Sequence, residues 1–79
     1  GFGVYPNPAN SELTLSFGEG LNVELISIVD LGGKEVLNAG INQSNASKMR
    51  LDVSGIAAGA YFVNVVSERG NHTQKLIIE

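Results

Sequence analysis

The sequence predicts a small antiparallel all-β sandwich of about seven strands with no helix, and three observations carry that prediction. Apolar and polar residues alternate with period two through most of the chain. Clusters of Gly, Pro, Asn, Asp and Ser interrupt the alternation about every ten residues, the spacing of turns between short strands. No segment joins a helical apolar period to end caps. Residues 54–60 are the one stretch open to a helical turn, and their glycines argue against even that.

Taken in order, residues 6–11 (Pro-Asn-Pro-Ala-Asn-Ser) come first. Their two prolines deny backbone donors to any ladder. Residues 13–17 alternate cleanly, with Leu13, Leu15 and Phe17 inward, and Gly18-Glu19-Gly20 reads as a turn. Residues 23–31 form a longer strand that is apolar on both faces, Ile26 and Ile28 on one, Val23, Leu25 and Val29 on the other. A bulge would let both sets serve the core. Asp30-Leu31-Gly32-Gly33-Lys34 reads as a tight hairpin, with Asp30 accepting hydrogen bonds from turn amides and glycines supplying positive φ. A short return strand follows at 35–37, and residues 42–47, rich in Asn and Ser, read as a loop. Residues 48–53 set Met49, Leu51 and Val53 inward, with Lys48, Arg50 and Asp52 in water. Residues 61–66 place Tyr61, Val63 and Val65 on one side. Gly70-Asn71 reads as the last turn, and a final strand over 73–78 points Leu76 and Ile78 inward. With Ile56 these residues make up the expected core.

Composition narrows the function. At 79 residues the chain holds one domain, read here as 1–79, and buries only about 60% of its unfolded surface. An apolar content of 43% excludes disorder. Cysteine is absent, so packing acts without disulfides or thiolate metal sites. Five basic residues against eight acidic ones give a net charge of −3. That balance excludes the clustered positive field that nucleic-acid binding requires. No apolar run reaches the roughly 18 residues of a membrane-spanning helix. The chain opens on Gly1-Phe2-Gly3 with neither an initiator Met nor a signal peptide, as expected of an appended module cut from within a longer protein.

The inventory for chemistry is thin. His72 is the one histidine and falls in the expected last turn, where a solvated role suits it better than general base catalysis. The acids are dispersed, and nothing matches the Asp-rich spacing of a calcium loop. Gly32-Gly33-Lys34 lacks the strand–loop–helix setting of a phosphate cradle. The Asn-x-Ser/Thr matches at Asn42, Asn45 and Asn71 carry little weight in so Asn- and Ser-rich a chain. We expect no catalytic residue, metal, cofactor or small-molecule substrate. Ile56, Gly59 and Tyr61 are spaced like the tyrosine corner of immunoglobulin-like Greek-key sandwiches. In that arrangement the Tyr61 hydroxyl returns to a backbone group near Ala57.

Four segments fall into one pattern: Val4-Tyr5-Pro6-Asn7-Pro8-Ala9, then residues 28–36 (Ile-Val-Asp-Leu-Gly-Gly-Lys-Glu-Val), then 51–63 around Gly59-Ala60-Tyr61, then Gln74-Lys75-Leu76-Ile77-Ile78-Glu79. Together, and in this order, they resemble the type A C-terminal sorting domains of the type IX secretion system of Bacteroidota. The resemblance implies an export signal that carries an N-terminal cargo domain of the same chain through the periplasm and across the outer membrane. It implies removal afterwards by a sortase-like peptidase, with the cargo secreted or held at the cell surface. By position, Pro6, Asn7 and Pro8 match the opening motif, Gly59 and Tyr61 the central one, and Lys75, Leu76, Ile77 and Ile78 the terminal one. An apolar strand at the end of the domain also offers an edge for pairing with a partner strand. The alternative is an immunoglobulin- or fibronectin-like accessory or adhesion module of a secreted hydrolase. Glycan binding by such a module needs exposed aromatics, for which only Tyr5 and Phe62 are candidates.

Overall fold

A computed structural model describes residues 2–79. Six strands form among the described residues: β1 (Gly3–Tyr5), β2 (Glu12–Asp30), β3 (Glu35–Asn38), β4 (Gln43–Asp52), β5 (Gly59–Ser67) and β6 (Gly70–Ile78). The expected all-β class with no helix holds, with six strands where about seven were expected. β2 is the reason. It runs for 19 residues through Gly18-Glu19-Gly20 without a turn, joining what reads as two strands. Gly18 takes φ +76, and register shifts between Ser16 and Leu21 and again before Val23 bend the strand there. At Gly20 a Cβ would run into the Asn45 side chain of β4, so glycine leaves room for that side chain beside the bend.

The bend divides one hydrogen-bonded sheet into two layers. The first half of β2 pairs with β1 (Val4 opposite Leu15) and with β4 (Leu13 opposite Leu51). The second half pairs with β3 and β5 (Ile28 opposite Leu37 and Val63), and β6 closes that layer outside β5. The inward sides of both layers share one core, a sandwich-like arrangement. The proposed bulge in residues 23–31 is present: the register against β5 shifts between Val23 and Leu25. That single extra residue moves the buried set from odd positions (Leu13, Leu15, Phe17, Leu21, Val23) to even ones (Ile26, Ile28).

Twelve of the expected core residues are buried: Leu13, Leu15, Phe17, Ile26, Ile28, Leu51, Val53, Tyr61, Val63, Val65, Leu76 and Ile78. Met49 and Ile56 are only half-buried and pack against the core from outside, Met49 from the outer strand β4 and Ile56 from the turn after Val53. Val4, Ala9, Leu21, Val23 and Ala46 complete the core.

Other expectations are corrected locally. Residues 43–47 are strand rather than loop, because Asn42 and Asn45 take positive φ (40° and 53°) and let the chain follow the bend of β2. The last turn is Glu68-Arg69, with Ser67 paired to Gly70 at φ +101. His72 therefore lies on β6, half-buried, with its ring edge-on to Phe2 at 6.1 Å. At the 30–34 hairpin only Gly33 has positive φ (+88), while Asp30 Oδ1 accepts from the Gly32 and Lys34 amides at 2.9 Å each, as expected.

Candidate functional site

The three motif segments are distant in sequence, and the structure brings all nine of their residues to one end of β5 and β6. The central motif is positioned first, by ladder pairing. Gly59 lies opposite Ile78 and Tyr61 opposite Leu76. Tyr61 alternates inward with Val63 and Val65, so its ring is buried. Its hydroxyl donates to the carbonyl of Ala57 at 2.5 Å, four residues upstream, and so ties the 54–60 turn to the strand. That is the bond the sequence spacing predicts. Glycine at position 59 of such a corner would be expected to avoid a Cβ clash where the chain crosses between layers. A Cβ there would meet the Tyr61 ring at an ordinary 3.6 Å, so no clash excludes one. The constraint is φ +158, which a side chain disfavours.

The opening motif reaches the same place by an unusual route. Pro6 and Pro8 have no N–H, and the segment they bracket cannot make a regular strand. Both bonds that precede the prolines are cis. Asn7 substitutes its side-chain amide for a backbone peptide. Nδ2 donates to the Lys75 carbonyl at 3.0 Å, and Oδ1 accepts from the Ile77 amide at 3.0 Å. Ala9 continues the pattern with its own backbone: its N–H donates to the Ile77 carbonyl and its carbonyl accepts from Glu79, both at 2.8 Å. Asn7 and Ala9 thus act as a short pseudo-strand parallel to β6. Ala9 is buried, which anchors the segment, while Pro6, Asn7 and Pro8 stay exposed.

In the terminal motif the side chains divide by parity. Leu76 and Ile78 enter the core, Lys75 is exposed and Ile77 half-buried on the outer face. The edge beside residues 75–79, expected to be open to a partner strand, is covered by Asn7 and Ala9. Sequence reasoning gave Ala9 no role, and its apolar side chain amid polar neighbours is the one signal that it is anchored.

The Ser54 hydroxyl (2.6 Å) and then the Ser54 amide (3.0 Å) donate to Asp52 Oδ1 and hold its carboxyl below the usual 3.8. Among the described residues no group of His, Asp and Glu is arranged to hold a metal ion. Among the same residues no helix is long and apolar enough to cross a membrane. At the other end of β5 and β6 from the motifs, a small cleft of about 60 Å³ is lined by Phe2, Phe17, Leu21, Val65, Arg69 and His72.

No curated protein sequence matches the chain. A family model described as the secretion system C-terminal sorting domain matches residues 3–79, and so spans all three motifs and both layers. The chain belongs to that family, the C-terminal signals by which type IX cargo crosses the outer membrane.

Proposed function

We propose that the type IX machinery reads this domain at the corner built from residues 6–8, 59–61 and 75–78. The cargo is joined on the N-terminal side of the same chain, and a sortase-like peptidase removes the domain after transit. Asn7 carries this reading. A single exposed side chain binds the backbone of the terminal motif on both sides of Leu76, so the opening and terminal motifs present one surface. Their common outer face offers Pro6, Pro8, Lys75 and Ile77 to a partner.

The test is export of an inert, signal-peptide-bearing reporter fused ahead of the domain. Lys75→Ala and Ile77→Ser alter the outer face without emptying the core. Both should fold by circular dichroism and reduce the exported fraction. Deleting residues 75–79 should abolish export, but it also removes Leu76 and Ile78 from the core, so the point variants are decisive. If export survives every folded variant of the corner, the machinery reads another surface.

A further inference from the structure

The pseudo-strand of Asn7 and Ala9 covers only one half of the β6 edge. We propose that the uncovered half, residues 71–75, is the docking site for an extended strand of the export machinery. This rests on the reading of the domain as an export signal and names the kind of partner that engages it.

The argument begins with parity. The β5–β6 register runs without a shift from Gly59–Ile78 to Ser67–Gly70, so backbone groups along β6 alternate sides without interruption. The N–H and carbonyl of Ile77 point outward, to Asn7 and Ala9. Those of Lys75, Thr73 and Asn71 therefore point the same way. Asn7 takes the Lys75 carbonyl. The Lys75 N–H, both groups of Thr73 and the Asn71 carbonyl meet no partner among the described residues. The pseudo-strand does not continue to them because the chain leaves at Pro6 for β1, where Tyr5 pairs with Thr14.

Edges left open are usually guarded. On β4 the Val53 N–H bonds inward to Ser11, so Lys48, Arg50 and Asp52 turn their backbones outward, each beside its own charge. The open half of β6 carries one cation, Lys75, and neither proline nor bulge. This edge also already accepts an extended, backbone-like partner in parallel, since the chain's own segment is seated on it. A partner strand laid over Asn71 to Lys75 would abut Pro6 and Asn7, continuous with the corner that carries the motifs. Its neighbours would be Thr73 and Lys75 on one face and the half-buried His72 and Gln74 on the other. The edge thus fits a polar extended segment with an acidic residue to meet Lys75.

Thr73→Pro tests this directly. It removes an outward N–H and puts a ring on the edge while leaving the β5 ladder intact. Asn64→Ala, on β5 and outside the proposed site, controls for the lost bond from Thr73 Oγ1 to Asn64 Oδ1 (2.8 Å). Both are compared as purified domains, by circular dichroism and melting, and as reporter fusions in an exporting strain. We expect Asn64→Ala to be exported like the unaltered fusion, and folded Thr73→Pro to fall about tenfold or more, the equivalent of one or two such hydrogen bonds. Should Thr73→Pro unfold, Asn71→Pro, beside the hairpin, repeats the test. A folded proline variant exported as well as Asn64→Ala overturns the proposal. So does sedimentation showing an unaltered dimer that the proline makes monomeric, since the edge would then belong to a second copy. Retention of the unaltered fusion is a different failure, that of the sorting reading itself.

Discussion

The side-chain amide of Asn7 stands in the place of a backbone peptide beside Ile77, 70 residues away, accepting its N–H while donating to the Lys75 carbonyl. The two ends of the domain are thereby joined through a group that can be cut back without touching the core. Asn7→Ala should cost about 1–2 kcal/mol in urea unfolding, the net worth of two exposed hydrogen bonds. It should also speed amide exchange at Ile77 while Leu76 and Ile78, which face β5, stay protected. Asn7→Asp keeps the acceptor and loses the donor, so Ile77 protection should survive in it. Equal exchange at Ile77 in all three proteins would mean that the contact is not formed in solution.

Tyr61→Phe leaves the ring in the core and removes the bond to Ala57. We expect a loss on the order of 1 kcal/mol, with the ladder opposite Leu76 intact. Denaturant titration with an unchanged slope is the measurement. No loss would show that the hydroxyl finds an equal partner in water.

Gly20→Ala puts a methyl group against the exposed Asn45 side chain, which must turn aside, and should destabilise by about 0.5–1.5 kcal/mol. Asn45→Gly removes the obstacle and suits the positive φ at that position. The double variant should therefore be more stable than Gly20→Ala alone. A double-mutant cycle with no coupling would contradict this account of the bend in β2.

Asp52 should titrate below 3.8 by NMR, since hydrogen bonds from Ser54 favour its charged form. A lowered folded-state value means that the stabilisation is fully present above the unfolded pKa and is lost as pH falls through the folded one. The window thus lies below pH 4 or so, and neutral-pH stability should not respond to small pH changes through this group. Ser54→Ala removes the hydroxyl donor and should raise the midpoint. An unmoved midpoint would assign the shift to another cause.

Much of this fold was legible because period-two patterning reports burial directly. Leu13 to Phe17, the alternation around Leu51, and the Tyr61–Val65 face stand in the structure as they read in the chain. The Tyr61–Ala57 bond was legible because it is local, four residues long. The bend of β2 was not, since Gly18-Glu19-Gly20 has the composition of a turn whether the chain reverses or only bends over a core. Asn42 and Asn45 misled for a related reason: residues that tolerate positive φ mark loops, but they also let an edge strand follow a bent neighbour. The motifs could be recognised by their order along the chain. Their union through Asn7 could not, because a side-chain contact across 68 and 70 residues leaves no periodic trace. Nor did the terminal strand reveal that its final edge is covered.

The most direct test of the account is the location of a reporter carrying the domain at its C-terminus. In a type IX-competent strain it should appear outside the cell, and in an isogenic strain without the system it should stay in the periplasm. Asn7→Ala, with folding verified, should lower the exported fraction in the competent strain. Retention of the unaltered fusion by a strain that exports its own cargo, or equal release by both strains, would contradict the account.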